Sequence, residues 1–316
     1  MVTIGIDLGG TNIVAGVVDG TYRILASAKC KTLAQRPVEE IVADMVRLTH
    51  EAVQRAGLTM DDVTGVGVGV PGACNAQTGV VEYTANLPFV DFPLGEIMGK
   101  ELGKPIYLGN DASAAALGEI KAGAAKGAKN CVCVTLGTGV GGGIVIGGKV
   151  YDGFNFCAGE IGHTVIVKDG EPCGCGRRGC WEAYASATAL VRQTREAMKA
   201  HPESAMWRIA GSLENTNGRT AFDAMREGDV VGKAVVDAYI EYVAIGVTNM
   251  INIFQPEIVC LGGGICKEGE TLLAPIRAFV ERERYSRFSK KQSKLCVAAL
   301  GNDAGVIGAA CLGEMI

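Results

Sequence analysis

One imidazole and three thiols lie close enough in the sequence to hold a metal ion together. A Cys-x-Cys-x4-Cys run follows one of only three histidines in the chain. The four candidate ligands are His163, Cys173, Cys175 and Cys180. They complete the tetrahedral shell of a closed structural zinc site, and the glycines between them allow turns tight enough for three sulfurs to reach one ion. The spacing favours zinc over the alternatives, a metal-free thiol-rich loop or a disulfide pair.

Two acidic residues bracket the same cluster. Glu160 precedes His163 by three positions, and Glu182 follows Cys180 by two. A zinc-bound loop would fix this histidine and both carboxylates in space, because the metal holds its ligands at set distances. The segment therefore predicts the floor of a binding site.

Three glycine-rich turns, each after a predicted strand, are candidates for holding phosphate. They read Asp7-Leu-Gly-Gly-Thr11-Asn, Leu136-Gly-Thr138-Gly-Val-Gly-Gly-Gly143 and Leu261-Gly-Gly-Gly264. Such turns point backbone N–H groups and threonine hydroxyls at phosphate oxygens, and Asp7 is placed to hold a magnesium ion beside them. None has the lysine of the P-loop pattern, and any one alone is more often structural. Three in one chain favour ligand binding.

The segment Gly109-Asn110-Asp111-Ala112-Ser113 has two interpretations. In the first, Asn110 or Asp111 caps the helix that follows, as these residue types commonly do. In the second, Asp111 is a carboxylate at a strand–helix junction that opens into a cleft. There it would accept a proton from a substrate hydroxyl during attack on a γ-phosphate. From this segment alone, helix capping is favoured.

Composition excludes several classes of protein. The chain has 316 residues, 48% of them apolar, and a net charge of −4, so it has no bulk attraction to nucleic acid or anionic membrane. The first residues lack a basic leader and include Asp7, which argues against a signal peptide, and no apolar run is long enough to span a membrane. Several cysteines lie in strand-like apolar segments: Cys131, Cys133, Cys260 and Cys296. They predict a reduced, cytoplasmic protein.

The elements that must position these residues alternate between strands and helices. Strands are predicted at 2–7, 14–18, 22–28, 63–70, 105–108, 130–136, 142–146, 257–261 and 294–298. Helices are predicted at 37–56, 112–122, 229–254, 269–282 and 304–312. The connection between residue 72 and residue 105 is interpreted as a loop, and 206–218 as an exposed loop. The order of elements before residue 122 restarts near residue 130, which predicts two lobes with central sheets and a cleft between them.

Seven motifs, in this order, resemble those of the ROK family of bacterial sugar kinases and repressors. They are DLGGT at 7–11, GVPG at 69–72, NDA at 110–112, LGTGVGGG at 136–143, GEIGH at 159–163, CGCGRRGCWE at 173–182 and PEIVCLGGG at 256–264. The resemblance covers essentially the whole chain. It implies a two-lobed α/β protein of the actin-like hexokinase (ribonuclease H-like) fold, with an interlobe cleft and a structural zinc site.

The domain division expected from this resemblance has two parts. A small α/β domain is expected at 1–121, and a C-terminal helix at about 304–316 is expected to pack back on it. A large α/β domain carrying the zinc loop is expected at 122–303.

The resemblance implies an ATP-dependent hexose kinase that phosphorylates the 6-hydroxyl of glucose. Kinases of the same family for N-acetylmannosamine, allose or fructose are the alternatives, because they share the base, the zinc site and the loops. A non-catalytic sugar sensor is disfavoured, because a degenerate relative would be expected to lose some of the machinery residues. The implied cofactors are ATP, Mg²⁺ and Zn²⁺.

The partners expected are the hexose and ATP, with no membrane and no nucleic acid. Repressors of the family add an N-terminal helix-turn-helix domain, and DLGGT begins here at residue 7, which leaves no room for one. A homo-oligomer, dimer or tetramer, is expected.

The resemblance carries roles over to individual positions. Asp111 resembles the catalytic base. The residues implied to bind sugar are Asn86, Asn110, Asp111, Glu160, His163 and Glu182. Those implied to bind the nucleotide and its magnesium are Asp7, Gly9, Gly10, Thr11, Gly137, Thr138, Gly139, Gly263 and Gly264. The family's zinc set matches His163, Cys173, Cys175 and Cys180, so that His163 would bind zinc through one ring nitrogen and face the sugar with the other. Position 12 is Asn where many relatives carry Lys, so no phosphate contact is assigned there.

Overall fold

A computed structural model describes residues 1–315, whose contacts divide them into two compact units. The first unit contains Met1–Cys133, Gly143–Gly159 and the segment that starts at Ala298, and the second contains Val134–Gly142 and Glu160–Val297. Residues 122–133, 143–159 and 298–303 group with the first unit, whereas the large domain was expected at 122–303. Gly143 lies directly against the first unit, since an added Cβ there would lie 2.5 Å from the carbonyl oxygen of Ala112.

Strands and helices alternate along the described residues. The strands are β1 (Val2–Leu8), β2 (Asn12–Val18), β3 (Ile24–Lys31), β4 (Val63–Val70), β5 (Gly72–Asn75), β6 (Val80–Thr84), β7 (Val90–Phe92), β8 (Ile106–Asn110), β9 (Cys131–Leu136), β10 (Val140–Ile146), β11 (Lys149–Val150), β12 (Ile258–Gly262) and β13 (Lys294–Val297). The α-helices are α1 (Val38–Arg55), α2 (Leu94–Leu102), α3 (Asp111–Ala122), α4 (Glu182–Ala185), α5 (Ala187–Ala200), α6 (Ala205–Ala210), α7 (Thr220–Arg226), α8 (Val230–Phe254), α9 (Glu270–Glu283) and α10 (Ala304–Ala310).

The first unit is organised around a five-stranded sheet with the order β3-β2-β1-β4-β8. Strand β1 is antiparallel to β2 and parallel to β4, which is in turn parallel to β8. β-Branched side chains such as Ile4, Ile6 and Val66 are fully buried, and α1 packs its apolar face against β2 and β3. Because β1, β4 and β8 are parallel, the residues that follow them meet at one edge of the sheet, where open α/β sheets bind ligands.

The C-terminal helix α10 packs against α3, β1 and β4 within the same unit. Backbone approaches backbone here, since an added Cβ would lie 1.8 Å from the Val306 carbonyl oxygen at Gly5 and 1.8 Å from the Ala309 carbonyl oxygen at Gly67. The helix begins at the predicted residue but ends at Ala310 and is followed by a 3₁₀ turn, Leu312–Met315. Residue 316, which falls in the predicted helix, lies outside the described residues.

A second five-stranded sheet has the order β11-β10-β9-β12-β13, and β9 and β10 each have residues in both units. The longest helix of the second unit, α8, places Gly246 against the indole of Trp181, which is fully buried. No helix of residues 1–315 is both long and apolar enough to cross a membrane.

Two segments predicted as loops contain regular structure. Residues 72–104 form the antiparallel sheet β5-β6-β7 and helix α2, and residues 205–210 form helix α6 with Met206 buried. The small-sheet strands have three to five residues, too few to show a clear alternation. Helix α6 depends on Ser204, whose hydroxyl oxygen accepts from the Met206 N–H at 3.2 Å. The predicted strands and helices elsewhere are confirmed, with ends shifted by three residues or fewer.

Candidate active site and metal centre

The register of the first sheet brings Asp7 and the Asn110–Asp111 pair to the same edge. Asp7 on β1 pairs with Gly69 on β4, and Gly69 pairs with Gly109 on β8. Asn110 and Asp111 follow immediately, where β8 ends and α3 begins. Both carboxylates therefore lie at the carboxyl edge of the parallel strands, Asp7 on β1 and Asp111 after β8, with Gly69 on the intervening strand β4 between them in the register.

Asn110 is the residue that caps α3. Its Oδ1 accepts hydrogen bonds from the N–H groups of Ala112 at 2.9 Å and Ser113 at 3.1 Å, and its Nδ2 donates to the Gly72 carbonyl oxygen at 3.3 Å. Asp111 is the first helical residue, and its Oδ1 accepts from the Ala112 N–H at 2.8 Å. The structure thus decides which of the two residues is the cap, and the helix does not depend on the Asp111 carboxylate for it.

Burial raises the pKa of both carboxyl groups. Desolvation, with a smaller repulsion from Asp111, raises the pKa of Asp7 from 3.8 to about 6. Desolvation also raises the pKa of Asp111, and the Ala112 N–H partly offsets this by stabilising the carboxylate. Two partly buried carboxylates that repel each other suit a divalent cation, and magnesium commonly takes one or two carboxylates besides phosphate oxygens and waters. The donor set at this edge therefore fits Mg²⁺.

Asp7 should lower the stability of the metal-free protein at neutral pH. Its folded-state pKa is raised above the unfolded value, so the folded state favours the protonated carboxyl group over the ionised one. This contribution to the free energy of unfolding is complete below about pH 4 and is lost as the pH rises through about 6. We expect Asp7→Asn to raise the free energy of unfolding at pH 7.5 in Mg²⁺-free buffer by on the order of 2–3 kcal/mol. Urea unfolding at pH 7.5 and pH 4.5 measures this, and a gain that persists undiminished at pH 4.5 would contradict the assignment.

The predicted phosphate-binding turns are open at several glycines. Gly10, Gly137 and Gly264 have no atom within 4 Å of where a Cβ would stand. Gly263 is different, since its φ of +103° and a Cβ position 2.1 Å from the Leu136 carbonyl oxygen admit only glycine. In the first unit Thr32 Oγ1 fixes the β1–β2 turn by donating to the Gly9 carbonyl oxygen at 2.6 Å.

Thr138 is tied to the start of α5. Thr188 Oγ1 donates to the Thr138 carbonyl oxygen at 2.8 Å, and the Ala187 N–H donates to the Gly137 carbonyl oxygen at 2.8 Å. A cavity of about 470 Å³ adjoins Thr138 and runs along α5, where the cationic Arg192, Arg195 and Lys199 line it together with Glu196, which pairs with Arg192. The turn at 136–143 therefore borders a space with cationic side chains on its wall.

The four predicted zinc ligands converge. One ligand atom from each of His163, Cys173, Cys175 and Cys180 lies within 4.8 Å of all the others. Cys175 Sγ and Cys180 Sγ are 3.7 Å apart, and Cys173 Sγ lies 3.6 Å from His163 Nδ1. A zinc tetrahedron with Zn–S bonds of about 2.3 Å and a Zn–N bond of about 2.1 Å has edges of roughly 3.5–3.8 Å. The cluster fits zinc, and the predicted alternative of a disulfide is excluded because a disulfide needs sulfurs about 2.05 Å apart.

Backbone hydrogen bonds and two glycines shape the zinc loop. The Cys173 N–H donates to the Arg177 carbonyl oxygen at 2.9 Å, and the Gly179 N–H donates to the Glu171 carbonyl oxygen at 2.8 Å. Gly179 has a φ of +78° and sits so close to Val167 that a Cβ would lie 1.8 Å from its carbonyl oxygen. The loop is anchored at its end by Trp181, whose Nε1 donates to the Tyr242 carbonyl oxygen on α8 at 2.8 Å.

The two acidic residues that bracket the cluster lie beside it. His163 presents Nδ1 to the sulfurs and Nε2 to Glu160, whose Oε2 is 3.7 Å away. Glu182 places Oε1 at 3.6 Å from Cys173 Sγ, and its Oε2 accepts from the Val140 N–H at 3.0 Å. Glu182 therefore joins the zinc loop to the glycine-rich turn at 136–143, a connection that sequence reasoning missed. The position of Glu182 just after the zinc motif indicated a binding site, but it gave no sign that Glu182 would accept a hydrogen bond from Val140.

The residues predicted to bind sugar or nucleotide are divided between the two units. The first unit holds Asp7, Gly9, Gly10, Thr11, Asn86, Asn110 and Asp111, and the second holds Gly137, Thr138, Gly139, Glu160, His163, Glu182, Gly263 and Gly264. Asn86 lies in an exposed bend between β6 and β7. Sequence reasoning also missed Gly305, which packs on the Asp7 carboxyl group so closely that a Cβ would lie 2.7 Å from Asp7 Cγ. Its signal in the sequence was the high glycine and alanine content of residues 304–310.

This arrangement and the comparison with solved structures define the class of the protein, an α/β protein of the actin-like hexokinase fold, as predicted. The chain belongs to the ROK family, whose profile matches residues 3–315.

Three similar proteins match nearly the whole chain. It is 39% identical over 316 residues to a glucokinase from Streptomyces coelicolor, covering 98% of this chain and 96% of that protein. It is 36% identical over 310 residues to a glucokinase from Thermotoga maritima, with the same coverage. The crystal structure of a ROK family glucokinase from Streptomyces griseus in complex with glucose and AMPPNP has a TM-score of 0.82 at 37% identity, covering 99% of both chains.

Proposed function

We propose that the protein is an ATP-dependent glucose kinase, which transfers the γ-phosphoryl group of ATP to the 6-hydroxyl of glucose. The observation that carries the proposal is the largely desolvated Asp111 carboxylate at the edge of the first sheet, in a chain that matches glucokinases over nearly its full length. Since Asn110 caps α3, Asp111 is available for a chemical role.

In the proposed reaction Asp111 accepts the proton of the 6-hydroxyl while that oxygen attacks the γ-phosphorus. The new oxygen–phosphorus bond forms as the bond from the γ-phosphorus to the bridging oxygen breaks, and ADP leaves. Burial supports this role, because a carboxylate with a raised pKa binds the proton more tightly than an exposed aspartate. Asn110 would bind the sugar from the same edge of the sheet. Asn86 is also proposed to bind the sugar.

Three further residues are proposed to contact the sugar. Glu160, His163 and Glu182 are held by the zinc loop, and their carboxylate oxygens and imidazole suit hydroxyl groups. Zinc would be held by His163 and the three cysteines and would supply structural rigidity. The proposal leaves His163 Nε2 for the sugar, because Nδ1 faces the sulfurs.

The nucleotide is proposed to bind the three glycine-rich turns. Gly9, Gly10, Thr11 and the turn from Gly137 to Gly139 would contact phosphates through N–H and hydroxyl groups, and Gly263 and Gly264 would lie against the adenosine. Asp7 would hold Mg²⁺, which neutralises charge on the phosphates when bound. The cavity beside Thr138 supports the proposal, because its lining carries three cationic side chains against one acidic one, Glu196.

The direct test is a coupled assay of ADP release with purified protein, ATP, Mg²⁺ and a panel of sugars. We expect the highest kcat/KM for glucose and very low ATP hydrolysis without sugar. The panel includes N-acetylmannosamine, allose and fructose. A higher kcat/KM for one of these would reassign the substrate, and no ADP release with any hexose would overturn the proposal.

Glu182→Gln should raise the KM for glucose far more than the KM for ATP. The amide oxygen can still accept from the Val140 N–H, so the turn at 136–143 keeps its anchor, whereas the second carboxylate oxygen is replaced by a donor. A carboxylate that accepts sugar hydroxyls binds them more strongly than an amide does. Paired KM values test this, with exposed Glu241→Gln on α8 as the control. Equal changes in both KM values would assign Glu182 to loop structure alone.

The oligomeric state and the cellular location of the protein stay predictions. A homo-oligomer, dimer or tetramer, is testable by light scattering on the purified protein. A cytoplasmic location is testable by fractionating cells that express the chain.

A further inference from the structure

Helix α3 buries a glutamate that has no role in the proposed site. Glu119 is 2% exposed, yet its carboxylate accepts three backbone hydrogen bonds. Oε2 accepts from the Ala124 N–H at 2.8 Å and the Ala299 N–H at 3.1 Å, and Oε1 accepts from the Leu300 N–H at 2.8 Å. No ion pair within residues 1–315 includes this side chain.

Burying the carboxylate of Glu119 removes it from water, which costs free energy. A buried charge is costly unless its lone pairs are satisfied, and here backbone N–H groups do so without a cation. Two of the three donors come from a segment 180 residues away in sequence. The carboxylate therefore ties the end of α3 to the chain that leads into α10.

Helices α3 and α10 are in direct backbone contact beyond this tie. A Cβ added to Gly118 would lie 2.4 Å from the Ala304 carbonyl oxygen, and one added to Gly308 would lie 1.6 Å from the Ala114 carbonyl oxygen. Glycines at the crossing remove the side chains that would otherwise separate the helices. A contact this close transmits a displacement of one helix to the other, because packed interiors deform little.

Each helix of the pair touches one of the two carboxylates at the sheet edge. Helix α3 begins with Asp111, and α10 presents Gly305 to the carboxyl group of Asp7. Glu119 holds Leu300, only five residues before Gly305. If these hydrogen bonds were lost and the start of α10 shifted, Gly305, which packs against the Asp7 carboxyl group, would therefore move as well.

We infer that Glu119 is a positioning residue for phosphoryl transfer. By fixing the start of α10 to the end of α3, it sets the relative placement of Asp7 and Asp111 without touching substrate. The inference rests on the proposed kinase function for its kinetic part, and its structural part is measurable without activity.

The test uses Glu119→Gln in the full-length chain. The amide keeps the shape of the side chain but turns an NH₂ group toward backbone N–H donors, so the tie to Ala299 and Leu300 should weaken. We expect kcat to fall about 10- to 100-fold, the effect of a displacement near 1 Å at a reacting group. The KM for glucose should change less than about twofold, because four of the six proposed sugar residues lie outside the α3–α10 pair and are untouched. Amide hydrogen exchange at residues 299–305 should accelerate in the variant.

Thr49→Val is the matched control. Thr49 is buried in the same unit and donates to the Met45 carbonyl oxygen at 2.8 Å, within helix α1. It should lower the melting temperature without changing kcat at temperatures where the protein is folded.

The outcomes separate the inference from the proposed function. Wild-type protein without kinase activity overturns the function, while exchange at 299–305 still reports the tie. A Glu119→Gln variant with wild-type kcat overturns the positioning role, as does one whose kcat falls no more than that of Thr49→Val at equal loss of stability. If Glu119→Gln does not fold, Glu119→Asp, which keeps the charge but shortens the reach, is measured in the same way. If neither variant folds, Glu119 is required for folding itself, and the positioning inference is overturned.

Discussion

Asp111→Asn should lower kcat about 10²–10⁴-fold and leave the KM for glucose nearly unchanged. Asparagine has the shape of aspartate but cannot accept the hydroxyl proton. The helix should stay intact, because the Asn110 side chain supplies the cap. Since burial raises the pKa of Asp111, the variant should be at least as stable as wild type at neutral pH.

The pH dependence adds an independent check on the same residue. A base must be ionised to act, so wild-type kcat/KM for glucose should decline as the pH falls through the raised pKa of Asp111 in the free protein, above the range of an ordinary aspartate. Initial rates at glucose concentrations well below KM between pH 4 and pH 8 measure this, and the exposed Asp61→Asn variant is the control. Near wild-type turnover by Asp111→Asn would limit Asp111 to a structural role at the start of α3.

Local patterns were sufficient to predict every strand of the two larger sheets except β11, and helices α1, α3, α8, α9 and α10, whereas α2, α4, α5 and α7 were not predicted. Strand β4 and helix α8 have apolar patterns long enough to place them within one residue. The sheet β5-β6-β7 was missed because its strands are short and pair across turns. Helix α6 was missed because its stability comes from the Ser204 cap and from the Asp229 carboxylate, to which Ser204 Oγ donates at 2.9 Å.

The candidate site was predictable where its residues are close in sequence. The zinc ligands fall within eighteen residues, so their chemistry is visible in the spacing alone. The bond from Val140 to Glu182 and the tie from Glu119 to Leu300 join residues 42 and 181 positions apart. Such pairs follow from tertiary packing, and no local propensity indicates them. The identity of the α3 cap was likewise settled by side-chain orientation, which the dipeptide leaves open.

Cys175→Ser should abolish stoichiometric zinc binding and lower the stability of the second unit. Three remaining ligands cannot close the tetrahedral shell, and structural zinc contributes on the order of 10 kcal/mol to the folding of small zinc domains. Burial raises the pKa of the Cys173 thiol to about 12 without metal, so the cation is what makes this sulfur a thiolate ligand. Elemental analysis and thermal unfolding measure both effects, with the exposed Cys157→Ser as the control.

Zinc removal should also act on the sugar before the fold is lost. Glu160 and Glu182 approach the cluster through His163 Nε2 and Cys173 Sγ, so a chelator that empties the shell releases both carboxylates from their positions. At partial zinc occupancy and a temperature well below unfolding, we expect the KM for glucose to rise while the KM for ATP changes little. A zinc-free preparation that is fully folded and has wild-type KM values would show that the cluster neither supports the fold nor positions the sugar. If the ATP KM changed alone, the Glu182–Val140 bond would be the path by which the metal acts, because that bond reaches the turn at 136–143.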